Sequence, residues 1–408
     1  MKFMTTAAMT ALILSAGAAI AQQGVSKTEI TLGSIQDLSG PLAGFGKQIR
    51  MGMTLRVEEL NEQGGVNGRK VKLLVEDSGY DPKKAILAAQ KLVNQDKIFM
   101  MVGHIGTAQN LAAMPVQFEK NVINFFPITA AREMYEPFDR LKYAFAATYY
   151  DQIRIATPKL MKDRNIKSAC IIYQDDDFGQ EVLRGAEAGL KTIGASFAEK
   201  TSYKRGATDF SSQVAKMKAS GCEMVVLGTI IRETIGAIGE SRKSGFNPVF
   251  LGSSAAYTDL IHKLGGKAMD GLFATMTSQH PYLDAAEQPV RFWANKYKTR
   301  FNDEPTVFSV YGYAAIDAFI RGAQKAGADL STDSFIKAMD TMVVPRDMFG
   351  TAEASFSPTK RLGNNFSRLS QIQDGRWKVV SEYVAFNGLR PVLQKNGTWK
   401  ISADQFKE

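Results

Sequence analysis

EITLGSIQDLSGPLAGFGKQIRMGMTLRVEELNEQGGVNGRKVKLLVEDSGYDPKK, Glu29 to Lys84, reads as one β-α-β unit. A strand from Glu29 to Ile35 runs into a Gly/Pro turn at Ser39 to Gly46. A helix follows from Lys47 to Gln63, with Ile49, Met53, Val57 and Leu60 recurring on one face. Gly64 and Gly65 stop it as left-handed caps do, and Val71 to Val75 supplies the second strand.

Upstream, Lys2, the apolar run Ala7 to Ile20 and the small-x-small site Ala19-Ile20-Ala21 have the order of a secretory signal peptide, placing the mature start at Gln22. At about 14 residues the apolar run is shorter than the roughly 20 that a membrane-spanning helix needs. No cysteine lies near the cleavage site to take a lipid, and no other long apolar run exists, so a soluble periplasmic protein is expected.

A chain of 408 residues with 45% hydrophobic residues can bury a large core, and the length favours two lobes. The formal charge of +9 falls by one if Lys2 leaves with the signal. Its Lys and Arg residues are dispersed, with no basic run longer than pairs such as Arg69-Lys70, Lys83-Lys84 and Arg242-Lys243. Nucleic-acid binding uses a clustered stripe, so no nucleic-acid partner is expected, and the charge serves solubility and mild steering of anions.

Strands and helices keep alternating. The first half has strands at Ile98 to Gly103, Val122 to Phe126 and Lys142 to Ala146, with a helix at Asn110 to Glu119. The second half has strands at Ser168 to Tyr173, Ser196 to Tyr203, Met224 to Gly228, Val249 to Gly252 and Gly271 to Met276, interleaved with helices. Repeated βα units imply an α/β fold with parallel sheets covered on both faces, and ligands at the carboxyl ends of the strands. Three further helical stretches follow, at Pro289 to Phe301, Val310 to Ala326 and Ser334 to Met342. QDGRWKVV and KNGTWKI each read as a turn followed by a Trp-bearing strand.

The order of strand, Ser39-Gly40-Pro41, Phe45, long helix, the GGVNG at Gly64 to Gly68, strand and Asp81-Pro82 resembles the branched-chain amino-acid-binding family of periplasmic proteins, which serve ABC importers. The resemblance covers about Lys27 to Phe386 and implies a type I periplasmic binding protein fold: two Rossmann-like doubly wound lobes joined by a three-crossover hinge. It implies a first lobe of residues 27–146 plus 275–350, a second of 147–274 plus 351–386, and a C-terminal extension at 387–408. On that resemblance three strands are expected to cross the hinge, near Ala146 to Tyr150, Phe273 to Thr275 and Gly350 to Ala354. Such lobes close around a ligand as a population shift driven by contacts to both.

The loop Gly103 to Asn110 follows a strand and opens a helix, so Thr107 can cap that helix while amides and the positive dipole end face the cleft. In the family this loop holds the ligand carboxylate, which makes Thr107 and Gly106 candidate ligand residues. The loop Phe126 to Ala131 adds Ile128, Thr129 and Ala130, with its hydroxyl one position earlier than in the amino-acid binders. Leucine-type binders carry an acidic residue for the ligand ammonium in the second lobe, and Ser254 stands at that position. A buried ammonium without a carboxylate costs of order several kcal/mol, so the expected ligand bears a carboxylate or amide and no α-ammonium. Phe178 takes the place of an aromatic that packs on the ligand, and Ile230 replaces another. Arg232 is a candidate for an anionic group, against the commoner surface arginine at a helix start. Phe45, Tyr149, Tyr150, Tyr257 and Tyr311 are candidate stacking walls, against ordinary core or hinge packing.

Cys170 and Cys222 fall on neighbouring strands under this fold, open either to a disulfide or to two buried thiols. GPLAGFGK misses the nucleotide-loop spacing by one residue, and Gln48 replaces the required Ser or Thr. The run Asp175-Asp176-Asp177 reads as a solvated loop with Asp177 capping a helix rather than a cation site. The three histidines are widely separated, so no metal, cofactor or catalytic residue is expected. The expected role is a monomeric substrate-binding protein handing a small molecule to the permease subunits of an inner-membrane ABC importer. A periplasmic sensor reporting the same kind of ligand to a membrane receptor is the second reading.

Overall fold

The computed structural model describes residues 22–382, Val384, Lys395 and the strands Leu389–Leu393 and Trp399–Ala403. The signal-peptide reading at residues 1–21 lies outside the described residues, as do residues 387–388, 394, 396–398 and 404–408 of the C-terminal extension.

The opening unit is β1 (Glu29–Gln36), α1 (Ala43–Glu62) and β2 (Lys70–Asp77), with β1 and β2 parallel from Glu29 opposite Lys70 to Gln36 opposite Asp77. The helix starts earlier than its apolar periodicity suggests. The Asp37 carboxylate accepts the amides of Gly40 and Leu42, which tightens the turn into a helix entry. A helix not anticipated, α2 (Pro82–Gln90), follows; Asp81 accepts the amides of Lys83 and Lys84, and Pro82 sits in the first turn, where its missing N–H costs nothing.

Next come β3 (Met100–Val102), α3 (Thr107–Glu119), β4 (Ile123–Phe125) and β5 (Lys142–Tyr143). They complete a parallel sheet of order β2-β1-β3-β4-β5. The strand expected across Ala146 to Tyr150 is absent: α4 (Tyr149–Asp163) begins there because the Thr148 hydroxyl accepts the amide of Asp151. Tyr149, Ile153, Ala156 and Leu160 then form its buried helical face.

The second half runs β6 (Ala169–Gln174), α5 (Asp177–Thr192), β7 (Glu199–Tyr203), α6 (Ser211–Ala219), β8 (Met224–Gly228), α7 (Ile231–Lys243), β9 (Val249–Gly252), α8 (Asp259–Gly265) and β10 (Phe273–Met276). The Asp-rich loop before α5 is capped by Asp176, not Asp177: the Asp176 carboxylate accepts the amides of Phe178 and Gly179. Cys170 on β6 is disulfide-bonded to Cys222, just ahead of the neighbouring β8, with Cα atoms 5.8 Å apart.

Three helices, α9 (Gln288–Phe301), α10 (Val307–Ala326) and α11 (Thr332–Met339), return toward the first sheet. α1 and α10 meet backbone to backbone: a Cβ on Gly52 would lie 2.0 Å from the Ser309 carbonyl, and one on Gly312 would lie 2.3 Å from that of Ile49. After the short pair β11 (Val343–Val344) and β12 (Ala354–Ser355), the chain adds β13 (Arg368–Gln373) and β14 (Arg376–Val379) to the second sheet. That sheet has the order β14-β13-β10-β9-β8-β6-β7, with β13 and β14 antiparallel. Asp374 and Gly375, both at positive φ, make the expected hairpin turn. The last pair, β15 (Leu389–Leu393) and β16 (Trp399–Ala403), is antiparallel and separate from both sheets.

The chain passes between the sheets at residues 144–148, after β10, and after β12. Phe273 to Thr275 lies within the second sheet, paired with β9 and β13, so that crossing falls after Met276. Among the described residues no helix is long and apolar enough to cross a membrane.

Candidate ligand-binding cleft

The carboxyl ends of both sheets face a cleft of about 740 Å³ of empty space, including its opening. Its first wall is the loop between β3 and α3. Gly103 and Gly106 adopt positive φ, which turns the chain sharply enough to present the start of α3. Asn110 Nδ2 donates to the carbonyls of His104 (2.8 Å) and Gly106 (2.7 Å), and Gln109 Nε2 donates to the carbonyl of Tyr80 (2.7 Å), so the loop is fixed by its own helix.

Thr107 does not cap α3. Gly106 holds the cap position without a side-chain bond, and the Thr107 hydroxyl meets that of Thr129 at 2.6 Å. The first amides of a helix lack intrahelical acceptors, so Gly106 and Thr107 bring a partly positive, donor-rich helix end to the cleft. Ile128, Thr129 and Ala130 line the cleft beside them, and the Ile128 amide donates to the His104 carbonyl (2.9 Å), joining the two loops. Burial raises the Tyr149 phenol above its ordinary value, against a hydrogen bond with Thr129 that lowers it.

The facing wall comes from the second sheet. Phe178, in the first turn of α5, stands edge-on to Tyr149 with ring centroids 5.1 Å apart. Ile230 and Ser254 line the same wall. Phe45 stacks on Phe308 at 3.7 Å, and Tyr311 also lines the cleft. Not one lining side chain carries a formal charge.

Three sequence candidates stand elsewhere. Tyr150 does not line the cleft; its ring lies 3.8 Å beneath the Arg132 guanidinium. Tyr257 packs on Trp377 at 4.9 Å, and its hydroxyl accepts the His280 amide. Arg232 has a half-exposed side chain and pairs with Glu233 at 3.6 Å. Sequence reasoning missed Tyr80, Phe145, Gln152 and Phe308, all of which line the cleft. Gln152 is the most informative: its Oε1 accepts from the Ser254 amide (3.1 Å) and the Thr275 hydroxyl (2.7 Å), while Nε2 donates to the Ala147 carbonyl (2.6 Å). The available signal was the capping pattern from Thr148 to Asp151, which puts Gln152 in the first turn of a helix.

His104, behind the first wall, is fully buried, and burial pulls its pKa down to about 3, so it is neutral. Among the described residues no group of three or more His, Cys, Asp or Glu side chains could hold a metal ion.

Residues 29–376 match the family model described as periplasmic binding protein. The chain is 26% identical over 304 residues to an amino acid binding protein of Pseudomonas aeruginosa, covering 74% of this chain and 80% of that one. Its fold is similar to a fatty acid ABC transporter substrate-binding protein from Thermomonospora curvata, with a TM-score of 0.82, 22% identity, and coverage of 90% and 94%. It is similar too to a branched-chain amino acid ABC transporter protein from Thermus thermophilus with bound valine, with a TM-score of 0.80, 16% identity, and coverage of 89% and 98%. With the two-lobed fold and the strand-end cleft, the match across most of its length establishes that this chain belongs to the periplasmic binding protein family, of the branched-chain amino-acid-binding type.

Proposed function

We propose that the protein, exported with residues 1–21 removed, is the monomeric substrate-binding component of an ABC importer. It captures a small carboxylate-bearing ligand, an aromatic or aliphatic acid rather than an α-amino acid. The observation that carries this reading is the uncharged lining of the cleft. A zwitterionic amino acid would bring its ammonium to a place where Ser254 offers a hydroxyl and no carboxylate, at a cost of order several kcal/mol. A carboxylate needs no cation there. The Thr107 and Thr129 hydroxyls and the start of α3 receive it, as helix ends receive anions elsewhere. The names of similar proteins divide between amino acids and a fatty acid, so the chemistry of the lining is the stronger support.

The test is a thermal-shift and calorimetric screen of the mature protein against benzoate, short alkanoates, leucine and valine, since binding to the native state raises the melting temperature. Acids should bind at least about tenfold tighter than the amino acids, a difference of about 1.4 kcal/mol. Ser254→Glu should reverse that preference. Preferential stabilisation of the unsubstituted protein by leucine or valine would overturn the reading.

A further inference from the structure

Behind the cleft lies a second cavity of about 1110 Å³ of empty space, including its own opening. The two cavities share Phe145 and Tyr311 as lining residues. One wall of the second is a face of α10, where Tyr311, Ala314, Ala315 and Ala318 follow at helical spacing and the alanines leave space. Unlike the first cavity it also has charged lining, Asp317 and Arg321 on α10 and Arg346 and Asp347 on the facing segment, with Asp317 paired to Arg56 at 2.9 Å and to Arg321 at 2.8 Å. The other wall is the strap from Val344 to Ala354. That strap is held in place. The Asp347 carboxylate accepts the amides of Phe349 and Thr351 (both 2.9 Å), the Gln279 amide donates to the Phe349 carbonyl (2.8 Å), and the Phe349 ring packs edge-on against Trp293 at 4.8 Å.

The shared wall is thinner. Phe145 and Tyr311 stand with ring centroids 5.6 Å apart, and Phe145 is only partly buried. The Tyr311 hydroxyl meets that of Thr277 at 3.3 Å, beyond the usual O–H···O range. These two rings alone are common to the linings of both cavities, so joining the cavities requires rotation of one or both side chains.

We propose that the two cavities form one site for a linear alkanoic acid. Its carboxylate lies at Thr107 and Thr129, and its alkyl chain passes between Phe145 and Tyr311 into the space along α10. This rests on the carboxylate reading given above. Branched or bulky tails fit the first cavity alone, whereas an unbranched chain buries more apolar surface with each methylene that enters the second.

The test is calorimetric titration of the mature protein with benzoate and with butanoate, hexanoate, octanoate and decanoate, repeated on Ala314→Phe and Met348→Trp. Both substitutions fill the second cavity, and Met348 is 37% exposed on the strap, so a larger side chain there leaves the core untouched. Affinity should rise about two- to fourfold per added methylene from butanoate to octanoate. Each variant should flatten that rise while holding benzoate within about twofold. A flat or falling series in the unsubstituted protein, with benzoate still bound, overturns the two-chamber site and leaves the carboxylate reading standing. An unaltered series in either folded variant overturns it as well, and failure of every acid to bind removes both.

Discussion

Inside the cleft no lining side chain bears a formal charge, whereas the rim where the two halves meet carries a series of ion pairs. On one flank Arg132, beyond β4, grips Glu181 of α5 with two bonds, Nε to Oε1 at 2.6 Å and Nη2 to Oε2 at 3.1 Å. Arg184 joins Glu181 at 2.8 Å and Glu133 at 3.5 Å. On another flank Arg205 pairs with Asp176 at 2.6 Å and donates to the carbonyl of Tyr80 at 3.3 Å. Lys263 of α8 reaches Glu304, between α9 and α10, at 2.9 Å. The contrast teaches a division of labour. Where both partners belong to the protein, charge is paired and sets how the halves meet; where the partner is a ligand, the wall stays neutral and selects by shape, hydroxyls and amides.

The sharpest way to break that division is at Arg132 and Glu181, whose side chains are 1% and 0% exposed. Burial alone raises the Glu181 carboxyl, but Arg132 and Arg184 outweigh it and hold it below the ordinary carboxylate range, while burial and the Glu181 charge push Glu133 up to about 7. Glu181→Ala removes the bidentate partner of a buried guanidinium and should cost about 3–5 kcal/mol in urea unfolding. Replacing the pair together, Arg132→Met with Glu181→Leu, should restore most of that loss. A single-variant cost below about 1 kcal/mol would mean that water reaches this flank in solution.

Next in size is an acid-side loss of stability at the rim. His280 lies against Asp259 at 4.0 Å, and burial pulls its pKa down to about 4 although Asp259 opposes the shift. The folded pKa is below the unfolded value of 6.5. Between those limits the unfolded chain therefore binds a proton that the folded chain refuses. The contribution is complete above pH 6.5 and is lost as pH falls toward 4, up to roughly 3 kcal/mol. Urea melts from pH 7.5 to 4.5 should show this slope, and His280→Asn should make it shallower. An identical slope in the variant would assign the acid loss to other groups, His104 first among them.

The first wall of the cleft was legible in the sequence because a strand, a glycine turn and a helix start define a loop whose direction follows from its neighbours. Gly106, Thr107, Ile128, Thr129 and Ala130 accordingly meet there. The aromatics were harder. Each residue along a helix turns the side chain by about 100°, so Tyr149 lines the cleft while Tyr150 lies under Arg132. Reading that segment as a strand hid both this difference and Gln152. In the same way, starting α10 at Val310 left out Phe308, which the Thr306 cap places in the first turn, three residues before Tyr311 on the same face. The ion pairs of the rim join residues as far apart as Arg132 and Glu181, and no local pattern marks them.

Within the cleft, Thr107→Ala should weaken acid binding by about 1–3 kcal/mol, the cost of a hydrogen bond to a charged group. The melting temperature without ligand should change little, because Thr129 keeps a hydroxyl at the cleft surface. Calorimetry with benzoate reads the first quantity and a thermal melt the second. An unchanged affinity in a folded variant would remove Thr107 from the site.

Glu304→Gln should give the smallest effect, and it tests the division from the rim side. The Lys263–Glu304 pair spans the two halves, but its side chains are 46% and 44% exposed, so solvent and salt screen it. Lys263 keeps Asp259 at 2.6 Å after the substitution, so no buried carboxylate loses its cation. Stability should fall by less than about 1 kcal/mol, and benzoate affinity should stay within about twofold at physiological ionic strength, with a larger difference at low salt. If Glu304→Gln instead weakened benzoate as much as Thr107→Ala, exposed charges at the rim would be setting affinity through closure. The neutrality of the cleft would then be a poor guide to what the protein binds.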